Sequence, residues 1–243
     1  MVTISSSGDA GGTWTSSDDT YATVNSSGVV TGVANGSATI TYTKSASPCS
    51  DATATIAVTV SNTYLSTGTN SNWSNTACWG GGVVPPTSAD VTISHDITVD
   101  ASTNTLGAVT VDASKTLTVA TGQTITASGT SDINGTLSIA GTGKYDANGT
   151  FDATNGNVTF TGTGTLELGG TVTSLGTFTG VSGATVKYDG TSTQTIFPLS
   201  SKFAYYPNLS VENSEKTLSA MTLVDGDLTF GTDHDIATNG HTL

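Results

Sequence analysis

Beyond residue 90 the chain is punctuated by apolar pairs set two residues apart. They include Val91/Ile93, Ile97/Val99, Val109/Val111, Leu117/Val119, Leu137/Ile139, Val158/Phe160, Leu166/Leu168, Val186/Tyr188, Leu209/Val211 and Leu228/Phe230. A spacing of two puts both side chains of a pair on one face of an extended strand. Gly, Asn, Asp and Thr fill the gaps between pairs and break the chain into turns. Strands this short suit a solenoid, in which each coil buries its apolar face against its neighbours. A sandwich would need longer strands. At roughly 20 residues per coil, about eight coils fit between Trp73 and the last residue. The register is not readable: the pairs are unevenly spaced, and AsnGlyThrLeu (134–137) and AsnGlyThrPhe (148–151) form only a weak repeat.

Composition points the same way. Among 243 residues there are 50 Thr and 30 Ser, and no Arg. β-branched Thr and Val favour extended backbone, and most strong helix formers are scarce, so the chain is expected to be all-β. Acids outnumber bases 19 to 6, a net charge of −13. That balance repels phosphate backbones and argues against nucleic-acid partners. No apolar run is long enough for a membrane-spanning helix. Low charge and abundant small polar residues suit an extracellular bacterial surface protein. The start, MVTISSSGDAGG, has neither the basic nor the apolar region of a signal peptide. We therefore expect Met1 to begin a piece of a larger secreted chain. At the other end, AsnGlyHisThrLeu (239–243) reads as a turn and a strand barely begun, so the solenoid is expected to be cut short there.

Residues 1–61 read differently. ThrIleThrTyr (39–42) and ThrIleAlaValThrVal (55–60) alternate, and Gly28, Gly32 and Gly36, with Asn25 and Asn35 nearby, supply tight turns. These features suit a β-sandwich. The run Trp14 to Asp18, Ala22 to Val24, Gly28 to Val33, Gly36 to Thr41 and Val58 to Val60 resembles the bacterial Ig-like domain, group two. That family usually has one or two more strands before the Trp, where this chain has little room. Either the piece starts inside the domain or another segment fills that edge. Residues 62–72 are polar and read as a linker. The second unit opens WSNTACWGGGVVPPTSADVTISHDITVD (73–100). That opening, with TyrProAsnLeuSerValGluAsn (206–213), LysThrLeu (216–218) and AspGlyAspLeuThr (225–229), resembles parallel β-helix segments in large surface proteins of gliding bacteria. The resemblance implies export by the type IX route and Ig-like modules beside the solenoid.

Candidate chemistry is sparse. Trp73 and Trp79 offer flat rings for stacking on sugars, or a plug for the open end of the solenoid. Asp225, Asp227, Asp233 and Asp235 set carboxylates at alternate positions, a pattern open to calcium as well as to solvated turns. Cys49 and Cys78, the only cysteines, flank the domain junction and leave two readings open: one disulfide tying the parts together, or separate thiols. His95, His234 and His241 have no paired ligands. The lysines are scattered, and no carboxylate pair is evident, so catalysis is not expected. ThrLeuThr (116–118) and ThrIleThr (124–126) start a pattern like that of ice-binding surfaces, but it then turns irregular along the sequence.

The expected architecture is an all-β chain: an Ig-like β-sandwich, with strands in question, followed by a right-handed parallel β-helix that winds into an elongated rod. The expected role is a non-catalytic structural or adhesive segment of a large secreted bacterial cell-surface protein, acting as a stalk or filament module with no resident cofactor. Its expected partners are flanking domains of the same chain, other copies of itself, or surface glycans. Carbohydrate binding is the alternative; a polysaccharide-active enzyme and ice binding rank below it.

Overall fold

A computed structural model describes residues 2–3, 11–33, 36–60, 63–68, 71–103, 105–199, 204–231, 236–240 and 242. The chain divides into two compact units, Met1–Asn62 and Thr63–Leu243.

The described residues of the first unit form β1 (Val2–Thr3), β2 (Thr13–Ser16), β3 (Ala22–Val24), β4 (Val29–Gly32), β5 (Gly36–Lys44) and β6 (Ala52–Val60). They make two three-stranded antiparallel sheets, ordered β1-β4-β3 and β2-β5-β6. Alternation decides which side chains go inward. Ala38 and Ile40 join Ala22 and Val30 in a small core, against which Trp14, Tyr21, Val58 and Val60 pack. The turn into β4 is set by Asn25, whose Oδ1 accepts from the backbone N–H of Ser27 and Val29, both at 3.0 Å. A strand before Trp14 is present: Val2 pairs with Val30 and Thr3 with Val29. At the edge of the other sheet, β6 is exposed from Ala52 to Ala57, and Ile56 is 47% accessible.

The second unit is a parallel β-solenoid with three faces. The first face stacks Asp90–Ile93, Val109–Val111, Ser131–Ile133, Phe151–Asp152 and Val172–Ser174. The second stacks Ile97–Val99, Thr116–Val119, Thr136–Ile139, Asn157–Phe160 and Thr177–Thr179. The third is a seven-stranded sheet running from Thr105–Leu106 to Leu228–Phe230. The chain visits the faces in rotation, so each strand pairs with the strand one circuit away. Leu117 lies beside Leu137, and Leu137 beside Val158. Those offsets are 20 and 21 residues, the separations at which side chains also bond from coil to coil. Among the described residues the third face stacks seven strands, against the eight coils expected, because some circuits are longer than about 20 residues: Val91 follows Tyr64 by 27 residues. Leu209 follows Val186 by 23 residues.

The apolar pairs point inward, as their spacing required, and stack in columns. Ile97, Leu117, Leu137, Val158 and Phe178 form one column, and each is at most 4% exposed. The exception is the final pair, Leu228/Phe230: Phe230, at the outer edge of its sheet, is 47% exposed. The corner between the third and first faces is so tight that only hydrogen fits. A Cβ on Gly149 would lie 2.2 Å from Gly129 O, and one on Gly170 would lie 2.2 Å from Gly149 O.

The expected linker at 62–72 is corrected in part. Thr63–Leu65 is a strand that pairs in parallel with Asp90–Ile93, and Asn72 bridges Thr98. Ser66, only 2% exposed, accepts from Ser94 N at 2.8 Å. These residues are polar because their side chains edge the first circuit, and their backbone supplies ladder bonds that composition does not register. Beyond Tyr188 the first face is replaced by a new sheet of Gln194–Ile196, Lys216–Leu218 and Ile236–Ala237.

Candidate functional site

The two tryptophans are not a sugar platform. Trp73 and Trp79 are each 2% exposed, edge to face with centroids 4.6 Å apart, and Trp79 Nε1 donates to Trp73 O at 2.8 Å. They belong to the solenoid core together with Cys78, so they plug its first circuit. The strand-free segment between them is held by Trp73 N donating to Thr98 O and by a short 3-10 turn at Thr76–Cys78. Burying two large aromatics against an otherwise open apolar column end is worth more than leaving their faces wet.

Of the two readings left open for the cysteines, the structure shows separate thiols. Cys49 is exposed in the first unit, and Cys78 is fully buried in the second, both as free thiols. Burial pushes the Cys78 thiol up, which makes it inert as well as inaccessible. Asp225 and Asp227 flank Gly226 in an exposed turn. That turn is shaped by Asp227 N donating to Asn208 Oδ1 at 2.8 Å. Asp233 and Asp235 lie outside the described residues. Among the described residues there is no group of three or more His, Cys, Asp or Glu placed to hold a metal ion, and no helix is long and apolar enough to cross a membrane.

What the structure assembles instead is three outer faces of different chemistry. The outward positions of the third face carry Lys144, Asp146, Glu167 and Lys187 on neighbouring strands, with Asp189 and Glu212 beside them. Lys144 Nζ meets Glu167 at 2.9 Å, and Lys187 Nζ meets Glu212 at 2.9 Å and Glu167 at 3.5 Å. Burial would lower the Lys187 ammonium, but the Glu212 hydrogen bond and the neighbouring acids outweigh it and hold it above its usual value. Burial, and then the charge of Glu167, push Asp146 and Asp189 above the usual carboxylate range. The first face carries Thr92, Thr110, Asp132 and Asp152 outward.

The second face alone has no charged residue on its strands. Its outward positions form two ranks in register. One is Thr98, Thr118, Ser138, Thr159 and Thr179; the other is Thr116, Thr136, Asn157 and Thr177. Asp96 heads the second rank, where its Oδ1 accepts from Thr116 N at 2.8 Å. Between the ranks the inward residues Leu117, Leu137, Val158 and Phe178 anchor each strand in the core.

A cleft of about 320 Å³ opens where the first face ends, between 169–172 and 192–195. Gln194 spans its floor, and its Nε2 donates to Leu168 O and Gly170 O at 2.8 and 2.7 Å. Its lining holds hydroxyls and amides but no acid or base, which leaves it without a proton donor or acceptor suited to hydrolysis. Nearby, burial lowers the pKa of Lys216, an effect partly offset by Asp189, and Lys216 Nζ donates to Gly190 O at 3.0 Å and Ser214 Oγ at 2.7 Å. That ammonium staples the corner of the new sheet.

No curated protein and no solved structure matches the chain. The family model of the bacterial Ig-like domain (group 2) matches residues 1–56, which places an Ig-like domain at the N-terminal end, ahead of the β-solenoid.

Proposed function

We propose that the chain is a structural and adhesive segment of a secreted bacterial cell-surface protein, non-catalytic, serving as a stiff spacer. The observation that carries this reading is the pairing of an Ig-like domain with a solenoid whose coils repeat in register. A continuous parallel ladder with a packed interior resists bending and local opening, because each coil is held by both neighbours. Hydroxyl-rich faces keep such a surface hydrated beside the ion pairs of the third face. Export by the type IX route belongs to the same proposal and rests on the resemblance of residues 73–100 and 206–229 to surface solenoids. The glycan-binding alternative loses its platform with the burial of Trp73 and Trp79. The test is to label intact source cells with an antibody raised against the full chain, before and after brief surface proteolysis. Surface labelling that proteolysis removes is expected. Signal only in lysed cells would overturn the reading.

A further inference from the structure

We propose that the second face of the solenoid binds the surface of ice. Nine outward positions on five adjacent strands are seven Thr, one Ser and one Asn, in two ranks held in register. Strand geometry sets the grid: about 4.8 Å between neighbouring strands, and about 6.6 Å between alternate residues of one strand. Both lengths lie near oxygen repeats on the faces of hexagonal ice. Each Thr offers a hydroxyl that both donates and accepts, as a lattice water does, beside a methyl group around which water orders. Its branched Cβ restricts the first torsion, so the hydroxyls are oriented before contact and little entropy is lost on binding.

Charge supplies the second argument. The chain carries −13, yet acids and lysines gather on the third face and acids mark the first, while the strands of the second face have none and Asp96 stands only at the head of one rank, tied to Thr116 N. Ice presents a neutral lattice. A strongly hydrated ion on the docking face would hold its own water shell out of register with that lattice. Cationic peptides would favour the acids of the other two faces, and anions such as phosphate would find no lysine on the strands of this one. The proposal concerns this face alone and is independent of the adhesive reading.

The experiment uses the full chain, with ice itself as the probe. Partition into a slowly grown ice hemisphere and inhibition of ice recrystallisation are measured for the wild type, Thr118→Lys, Thr118→Val and Thr110→Lys. Thr118 sits inside the array; Thr110 is an outward residue of the first face, between Thr92 and Asp132. The wild type and Thr110→Lys are expected to enter the ice and to arrest crystal coarsening. Thr118→Lys is expected to lose both activities while keeping its melting curve. If Thr118→Lys fails to fold, Thr118→Val, which keeps the shape and removes one hydroxyl, carries the test and is expected to lose part of the activity. Exclusion of the wild type from ice, like an inert protein of equal size, would overturn the proposal. Equal loss in Thr110→Lys would do the same, as would retention on insoluble cellulose or chitin without entry into ice.

Discussion

The hydroxyl of Tyr145 donates to Ser131 Oγ at 2.9 Å inside the solenoid, where both residues are fully buried. Burial pushes the phenol well above its ordinary pKa, so it stays a neutral donor. Tyr145→Phe strands a buried serine hydroxyl and is expected to cost about 1–3 kcal/mol in urea unfolding. The double variant Tyr145→Phe/Ser131→Ala is expected to recover part of that loss, since neither polar group then remains. A double variant as unstable as the sum of the singles would refute the coupling. The cysteines allow a second check at this scale. One thiol should react with a maleimide in the native protein, and the second only after unfolding; two reactive thiols before denaturation would contradict the burial of Cys78. The aromatic opening shows why residue type alone misleads. Trp73 and Trp79 are as suited to a sugar as to a plug, and the choice depends on whether an apolar column ends beside them, which one sequence position does not reveal.

Among the elements, the charged third face is one whose stability is expected to depend on pH. Asp146 and Asp189 titrate above the usual carboxylate range in the folded state. A carboxylate raised by folding adds stability when protonated and loses it as pH rises through its folded value. Thermal stability is therefore expected to climb as pH falls from 7 into that raised range. The climb should be smaller in Asp146→Asn, as read by melting temperature against pH; identical profiles would rule out this source. In the strand columns, Leu137→Ala removes a fully buried side chain between Leu117 and Val158 and is expected to cost about 2–5 kcal/mol by denaturant melts. Inward positions such as this were legible, because alternate spacing and burial are the same fact seen twice. The two ranks of hydroxyls were not. Thr116-Leu117-Thr118 and Thr124-Ile125-Thr126 are neighbours in sequence but sit on different faces. Regularity in space therefore looks like irregularity along the chain. The polar stretch around Thr63–Leu65 misled for a related reason: its ladder bonds are made by backbone, to which composition is blind.

At the scale of the whole molecule, the two units are built on opposite principles. The Ig-like unit closes its small core with antiparallel strands from one short stretch of chain, and the solenoid grows by addition. Its stability is close to a sum over coils and the contacts between neighbours. Hydrogen exchange in Leu137→Ala should accordingly quicken most in the coils adjoining residue 137 and leave residues 11–60 unchanged. Uniform loss of protection across both units would contradict that picture. The solenoid's existence could be read from apolar pairs, but its length could not, because circuits vary from 19 residues, between Leu209 and Leu228, to 27, between Tyr64 and Val91.

The steady offset of the central strands has a consequence for how such a chain changes over generations. Thr116–Val119 and Thr136–Ile139 meet equivalent neighbours one tier apart. A genetic deletion or duplication spanning one whole circuit would thus rejoin backbone to backbone without a mismatched seam. The plug at one extremity and the altered sheet at the other would be untouched. Reach could be shortened or extended by recombination with the backbone ladder kept, leaving only the column side chains to repack.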